Sequence, residues 1–147
     1  FAQRGHPVTG VDRDPEAVAA VQGVGKAVLA DIENGPWPFA GERFAGVVVT
    51  HYLWRALMPH IVDSVADGGV LIYETFAADH ATVGKPSRPD FLLRPGELLA
   101  AASGLRVVAY EDGFCSDPDR FVQRLVAVRE SRAHGAAPPR YALDAAG

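Results

Sequence analysis

Residues 44–50 read FAGVVVT, and this stretch decides the class of fold. Three consecutive valines with no polar residue between them predict a strand that is covered on both faces, as central strands of parallel sheets are. Similar strand patterns occupy His6–Val11 and Lys26–Ala30 before it and Val70–Glu74 after it. Helical patterns and turns alternate with these strands. The alternation predicts an α/β fold with a mostly parallel sheet and helices on both faces.

The two ends of the chain differ from this pattern. Arg106–Tyr110 and Phe121–Arg129 are too close in sequence for a helical crossover, so they predict a C-terminal antiparallel hairpin. From residue 131 the chain is rich in Ala, Gly and Pro, which predicts one domain over 1–130 and a flexible tail over 131–147.

The opening residues, Phe1–Gly5, read as the last turn of a helix. We therefore expect an N-terminally truncated domain.

Composition narrows the class of protein. The 147 residues are 48% apolar, carry a net charge of -4 and contain one cysteine, Cys115. The acidic balance argues against a nucleic-acid binder, and no apolar run approaches the roughly 20 residues that span a bilayer. No cluster with metal-ligand spacing accompanies His60 and Asp63. We expect a cytoplasmic protein without a metal site, a nucleic-acid partner or a membrane partner.

Ligands in open parallel sheets bind beyond the carboxyl ends of the strands, and this rule selects the candidate site residues. Asp12 ends one strand, where a carboxylate can accept hydrogen bonds from both hydroxyls of a ribose. The alternative is that Asp12 caps the next helix, a role that we assign to Asp14 because it directly precedes Pro15. Asp31 ends the next strand and could accept from an adenine amine while Ile32 covers the ring; the alternative is a solvated turn aspartate.

With these residues placed, the chain resembles the class I S-adenosylmethionine-dependent methyltransferases over roughly residues 1–130. The resemblance rests on VTGVDRDPEA (8–17), ADIE (30–33), FAGVVVTHYL (44–53), ADGGVLIYETF (66–76) and the closing hairpin. Within that superfamily the chain is similar to the small bacterial tellurite-resistance-type methyltransferases. In that subgroup a segment like FLLRPGEL (91–98) follows the last parallel strand.

The resemblance implies a Rossmann-like sheet, S-adenosyl-L-methionine as cofactor and methyl transfer to a small-molecule substrate. By the resemblance Asp12 holds the ribose, Asp31 and Ile32 contact the adenine, and Thr50 with the adjacent His51 and Tyr52 lines the pocket near the methionine part. The family's glycine-rich loop after its first strand is missing from residues 1–147. We therefore expect the chain by itself to be inactive, with an upstream segment supplying the loop.

Methyl transfer requires alignment of the acceptor with the methyl group, and it requires a base only if the acceptor must lose a proton. His51, Tyr52 and Glu74 are the candidate catalytic residues, His51 being the best base because imidazole titrates near neutrality. The alternatives are that His51 starts a helix and bonds to the backbone, and that Glu74 forms an ion pair with Arg55 or Arg94.

Two other functions fit the same residues. An NAD(P)-dependent oxidoreductase fragment also has an acid after its second strand, but the closing hairpin is typical of the methyltransferases instead. A non-catalytic Rossmann-like interaction module would keep the sheet and work through a protein surface. Homo-oligomerisation is left open, because a missing first strand would expose apolar surface.

Overall fold

The computed structural model describes residues 1–21, 23–131 and 136–142. These form two compact units, Phe1–Glu42 and Arg43–Gly147. The predicted flexible tail lies partly outside the described residues, at 132–135 and 143–147, and the single domain over 1–130 stays a prediction.

The first unit is a short parallel βαβ arrangement. After a 3-10 turn over Ala2–Arg4 come β1 (Thr9–Asp12), α1 (Pro15–Ala20) and β2 (Lys26–Leu29). The strands β1 and β2 pair in parallel. Helix α1 begins where predicted: the Asp14 side chain accepts a hydrogen bond from the backbone amide of Glu16 at 2.9 Å, which satisfies a donor that the first helical turn leaves free.

In its described residues, 43–131 and 136–142, the second unit contains four strands and two short α-helices. In chain order these are β3 (Phe44–Thr50), α2 (Met58–Asp63), β4 (Val65–Phe76), α3 (Glu97–Ala101), β5 (Arg106–Cys115) and β6 (Arg120–Val128). Three 3-10 turns lie between them, at Arg55–Leu57, Ala78–Thr82 and Pro89–Phe91.

The four strands form one sheet in the order β3-β4-β6-β5. Strands β3 and β4 are parallel, while β6 runs antiparallel to both β4 and β5. The predicted α/β fold with a C-terminal antiparallel hairpin is confirmed. The hairpin's second strand is inserted beside β4, so the carboxyl end of β4 lies next to the first residues of β6.

Side chains on β4 and β6 alternate between the two faces of this sheet. Leu71 and Tyr73 on β4 and Leu125 on β6 are fully buried on the side where α2 packs on β4 and α3 on β6. Ile72 and Val126 alternate with them and are only half-buried. Burying a large apolar side chain contributes roughly 1.5–3 kcal/mol, so the buried face supplies most of the stabilisation of this unit.

Strand β3 corrects one expectation. Within the described residues it pairs with β4 alone, at the edge of the four-stranded sheet, and Val48 is 48% exposed. The valine run had predicted a central strand covered on both faces. Here only the face that carries Val47 and Val49 is half-buried.

The sequence pattern predicts a helical segment over His51–Ala66 with a new helix start at Pro59, but within it only Met58–Asp63 forms an α-helix. Pro59 lies in its first turn, as expected. The sequence also predicts a turn at Asp67-Gly68-Gly69 before a strand over Val70–Glu74, whereas strand β4 already begins at Val65 and includes these glycines. A Cβ at Gly69 would lie 2.9 Å from the Phe44 carbonyl oxygen, so glycine allows β3 and β4 to approach closely there.

Candidate functional site

In the first unit, two carboxylates lie at the carboxyl ends of adjacent parallel strands. Asp12 ends β1 opposite Leu29 of β2, and its carbonyl accepts from the amide of Ala30 at 2.9 Å. Asp31 follows one residue later, so both predicted cofactor ligands lie at the same edge of this two-stranded sheet. Asp12 is exposed, and its Oδ1 accepts from the amide of Asp14 at 2.9 Å.

Asp31 is engaged in a local turn. Its Oδ1 accepts from the amides of Glu33 and Asn34 at 3.0 and 3.1 Å, and its Oδ2 accepts from the Asn34 side chain at 2.9 Å. The hydrogen bond from the Asn34 side chain is the main reason that the pKa of Asp31 lies below its ordinary value. This geometry fits the turn-aspartate alternative, although Oδ2, which accepts one hydrogen bond, can still accept a second. Ile32 beside it is half-buried.

In the second unit, the predicted pocket residues lie at the carboxyl ends of β3 and β4. Thr50 is exposed and pairs in register with Glu74. The backbone of His51 adopts a left-handed conformation (φ 52°), which costs a non-glycine residue free energy and is common at functional sites. The amide of His51 donates to the Glu74 carbonyl at 2.9 Å. The predicted backbone hydrogen bond of His51 exists, but as an extension of the sheet and not at a helix start.

Glu74 connects His51 to a residue that the sequence reasoning missed. Its Oε1 lies 3.8 Å from His51 Nε2, while its Oε2 accepts a hydrogen bond from Arg124 Nε. Arg124 is the register partner of Glu74 on β6. The alternative ion pairs of Glu74 with Arg55 or Arg94 are therefore wrong. The pKa of Arg124 is raised above its ordinary value, first by the hydrogen bond to Glu74 and then by that to Glu111.

Arg124 also contacts the next strand of the sheet. Its Nη1 donates to Glu111 at 3.2 Å, and its Nη2 lies 3.5 Å from the sulfur of Cys115, both on β5. Glu74, Arg124 and Glu111 thus form a row across β4, β6 and β5. Only the register of the antiparallel strands reveals this row, because Glu74 and Arg124 are 50 residues apart in sequence.

Aromatic rings pack behind the candidate base. The His51 ring stacks on Phe76 with 5.1 Å between centroids, and Phe76 stacks on His80 at 4.2 Å. His80 is buried, and its Nε2 lies 3.1 Å from the Lys85 carbonyl oxygen, so Nε2 carries the proton. One face of the His51 ring is therefore covered, while its side chain remains 59% exposed.

Tyr52 is half-buried, and its carbonyl accepts a hydrogen bond from the buried Tyr73 hydroxyl at 2.9 Å. Of the sequence-predicted residues, the structure therefore brings Thr50, His51 and Glu74 together, with Tyr52 following directly in the chain. Asp12, Asp31 and Ile32 are close to each other in the first unit.

No helix among residues 1–21, 23–131 and 136–142 is long and apolar enough to cross a membrane.

Comparison with known proteins gives the family of folds. Neither the protein-family models nor the curated proteins contain a match to this chain. Among solved structures, TehB from Haemophilus influenzae aligns with a TM-score of 0.65 and 17% identity over 88% of this chain and 52% of its own. A SAM-dependent methyltransferase from Methanosarcina mazei aligns with a TM-score of 0.63 and 11% identity, over 89% of this chain and 85% of its own.

The solved structures that share this fold are named for different reactions. The [4+2]-cyclase SpnF aligns with a TM-score of 0.59 and 12% identity, over 84% of this chain and 66% of its own. A fold hosts unrelated reactions, so the reaction has to be argued from the site. The chain spans about half the length of TehB. It has the Rossmann-like α/β fold of the SAM-dependent methyltransferases.

Proposed function

We propose that the chain is part of an S-adenosylmethionine-dependent methyltransferase that acts on a small molecule. The observation that carries the proposal is the antiparallel insertion of β6 between β4 and β5, next to the parallel pair β3-β4. The sequence resemblance rests in part on the hairpin that β5 and β6 form, and this hairpin is not typical of the oxidoreductases that share the acid after the second strand. The methyltransferases among the structural neighbours support the same assignment.

The cofactor residues that the resemblance implies are kept in this proposal. Asp12 is exposed at the end of β1 and has acceptor capacity for ribose hydroxyls. Asp31 and Ile32, at the end of β2, would contact the adenine, and Thr50 with His51 would line the methionine part. When bound, the cofactor supplies an electrophilic methyl group on a sulfonium. The residues of this chain would bind it and orient an acceptor in line with that methyl group.

Three parts of the proposal concern the whole protein. The chain by itself is expected to be inactive, because the glycine-rich loop that contacts the methionine carboxylate in this superfamily is not among residues 1–147. The proposed location is cytoplasmic, and the proposed partner is a small-molecule acceptor. Tests of binding therefore use the complete product of the gene.

Calorimetric titration of S-adenosylhomocysteine and of NADH into the complete gene product tests the proposal. We expect one saturable site for S-adenosylhomocysteine and none for NADH. Asp12→Ala should weaken this binding roughly 10- to 150-fold, the loss expected for hydrogen bonds to a charged group. Asp14→Ala removes a neighbouring carboxylate that caps α1, and it should leave the affinity unchanged. Binding of NADH alone would transfer the assignment to an oxidoreductase, and binding of neither ligand would favour a non-catalytic module.

A further inference from the structure

We propose that His51, Glu74 and Arg124 form a proton-accepting triad and that the acceptor of the methyl group is a hydroxyl. In this triad His51 takes the proton, and Glu74 and Arg124 are positioning residues. The inference rests on the proposed function and adds to it a base and a class of acceptor.

Arg124 holds the Glu74 side chain in a fixed position. Arg124 stands opposite it in the β4-β6 register and donates to Oε2, while the other oxygen, Oε1, is the one that faces His51 Nε2 at 3.8 Å. A guanidinium with several donors holds a carboxylate in one orientation better than a flexible ammonium does. Arg124 thus orients Glu74 so that one oxygen is directed to the imidazole.

The position of His51 is also fixed, by its backbone and by a ring contact. Its backbone amide is bonded to the Glu74 carbonyl, its left-handed φ of 52° sets the direction of the side chain, and Phe76 covers one ring face. The side chain is nevertheless 59% exposed. A buried structural histidine such as His80, 4% exposed, has no such access. His51 combines a packed ring with solvent access, as a base that meets a substrate requires.

The groups around His51 carry a net negative charge. The charged groups of the cluster are Glu74 on β4, Arg124 on β6 and Glu111 on β5, joined by contacts at or below 3.8 Å. Cys115 contacts Arg124, and His80 lies on the far side of Phe76. Two carboxylates and one guanidinium give the cluster a net charge of about -1 while His51 is neutral. The Glu74 carboxylate thus lies 3.8 Å from the ring on which a positive charge develops when His51 accepts a proton from a substrate.

Only some classes of methyl acceptor need a base such as His51. A thiolate or a neutral amine attacks with a lone pair that is already available, whereas a hydroxyl is a poor nucleophile until its proton leaves. In the step, His51 accepts the hydroxyl proton as the oxygen forms a bond to the methyl carbon. The carbon–sulfur bond breaks with its electron pair on sulfur. The products are the methyl ether, S-adenosylhomocysteine and the imidazolium, which then releases the proton to water.

The activity test compares phenol with thiophenol, using the complete gene product and S-adenosylmethionine labelled in the methyl group. Thiophenol is ionised at neutral pH and serves as the acceptor that needs no base. With both probes measured at saturating S-adenosylmethionine, we expect His51→Gln to lower the ratio of phenol to thiophenol methylation about 100-fold or more, the range for loss of a general base. Glu74→Gln should act in the same direction more weakly, and Glu74→Asp should restore part of the rate. His60→Gln, at an exposed histidine on α2, is the matched control.

A second measurement does not depend on turnover. Diethyl pyrocarbonate acylates the neutral imidazole, and peptide mass spectrometry follows the rate at each histidine separately. At pH 8 we expect Glu74→Gln and Arg124→Met to slow acylation of His51 about twofold or more, without changing the rate at His60. An equal rate at His51 in wild type and both variants would overturn the positioning roles of Glu74 and Arg124.

The outcomes separate this inference from the proposed function. If S-adenosylhomocysteine does not bind to the wild-type protein, the proposed function fails and the triad fails with it. If it binds and phenol stays unmethylated, or if His51→Gln leaves phenol methylation unchanged or reduces both probes equally, only the triad is overturned.

Discussion

Arg55 binds the carboxylate of Glu97 through two parallel hydrogen bonds, from Nε to Oε1 at 2.6 Å and from Nη2 to Oε2 at 2.9 Å. The same guanidinium donates to the backbone carbonyls of Asp90 and Leu92, both at 2.9 Å. One side chain after β3 therefore fixes the connection that precedes α3. This connection follows directly on Phe76, so Arg55 also stabilises the segment that borders the triad.

Replacing Arg55 should destabilise the protein strongly. Arg55→Met keeps most of the side-chain volume but leaves the half-buried Glu97 without its cationic partner. We expect the free energy of unfolding to fall by about 2–4 kcal/mol, because hydrogen bonds to charged groups are worth about 1.5–3 kcal/mol and the partner is left uncompensated. Urea unfolding followed by circular dichroism measures the change.

The matched control is Arg88→Met. Arg88 pairs with Asp90 at 2.8 Å, but both side chains are more than two thirds exposed, and exposed pairs contribute about 0–1 kcal/mol. A loss at Arg88 as large as that at Arg55 would show that the Arg55 contacts are not the cause.

The pair also predicts a dependence of stability on pH. The hydrogen bond from Arg55 is the main reason that the pKa of Glu97 lies below its ordinary value of 4.5. A carboxyl that binds its proton less readily in the folded state stabilises the fold at pH values above 4.5, and this contribution is lost as the pH falls through the lower folded value. We expect Glu97→Gln and Arg55→Met to lose less stability than wild type upon acidification below that pH. Urea midpoints measured from pH 6 to pH 3 test this, and three parallel curves would contradict it.

Gln123 is predicted to be a second critical polar contact. It is fully buried, its Oε1 accepts from the amide of Leu98 at 3.1 Å, and its Nε2 donates to the Arg94 carbonyl at 2.7 Å. The side chain thereby attaches the first turn of α3 to β6. Gln123→Met preserves volume but removes both hydrogen bonds and takes away the side-chain acceptor of the buried Leu98 amide, while the Arg94 carbonyl still accepts from the Glu97 amide. We therefore expect a loss of about 1–3 kcal/mol in urea unfolding. Gln3→Met, at an exposed glutamine, should change stability by less than about 0.5 kcal/mol.

Most of the fold could be predicted from local pattern. The valine run over residues 44–50, the Asp14-Pro15 helix start and the short spacing between Arg106–Tyr110 and Phe121–Arg129 each predict a local structure that the protein has. Whether both faces of β3 are buried could not be predicted. An apolar run shows that a strand can be buried on both faces, but it does not show which elements pack against it. The ends of the elements were predicted less accurately than the elements themselves. Strand β4, predicted over Val70–Glu74, extends over Val65–Phe76.

The candidate site was predictable only in part. The strand-end rule selected Thr50, His51 and Glu74, which the structure places side by side. Arg124 escaped it because its role depends on the β4-β6 register, which aligns residues 50 positions apart. Pairing β6 of the hairpin with β4 places the opposite charges of Glu74 and Arg124 on directly opposed residues. This charge pair is the signal that could have identified Arg124. The roles of Asp12, Asp31 and Ile32 stay predictions.

Tyr73 should link stability to pH at the alkaline end. It is 2% exposed, and its hydroxyl donates to the Tyr52 carbonyl at 2.9 Å. Burial raises the pKa of Tyr73 above its ordinary value of 10.0. Because the phenol loses its proton more readily in the unfolded chain, its contribution to stability is present below about pH 10 and is lost as the pH rises towards the folded value.

We therefore expect Tyr73→Phe to cost about 1 kcal/mol at neutral pH, for the loss of one hydrogen bond, and to lose less further stability than wild type between pH 9 and pH 11. Urea unfolding at each pH measures both effects, and absorbance at 295 nm should show that one of the four tyrosines ionises only upon unfolding. Tyr141→Phe removes a hydroxyl that lies 3.5 Å from Glu130 and should change neutral-pH stability by less than about 0.5 kcal/mol. If Tyr73→Phe and wild type lost stability equally above pH 10, burial of this phenol would not be the source of the alkaline sensitivity.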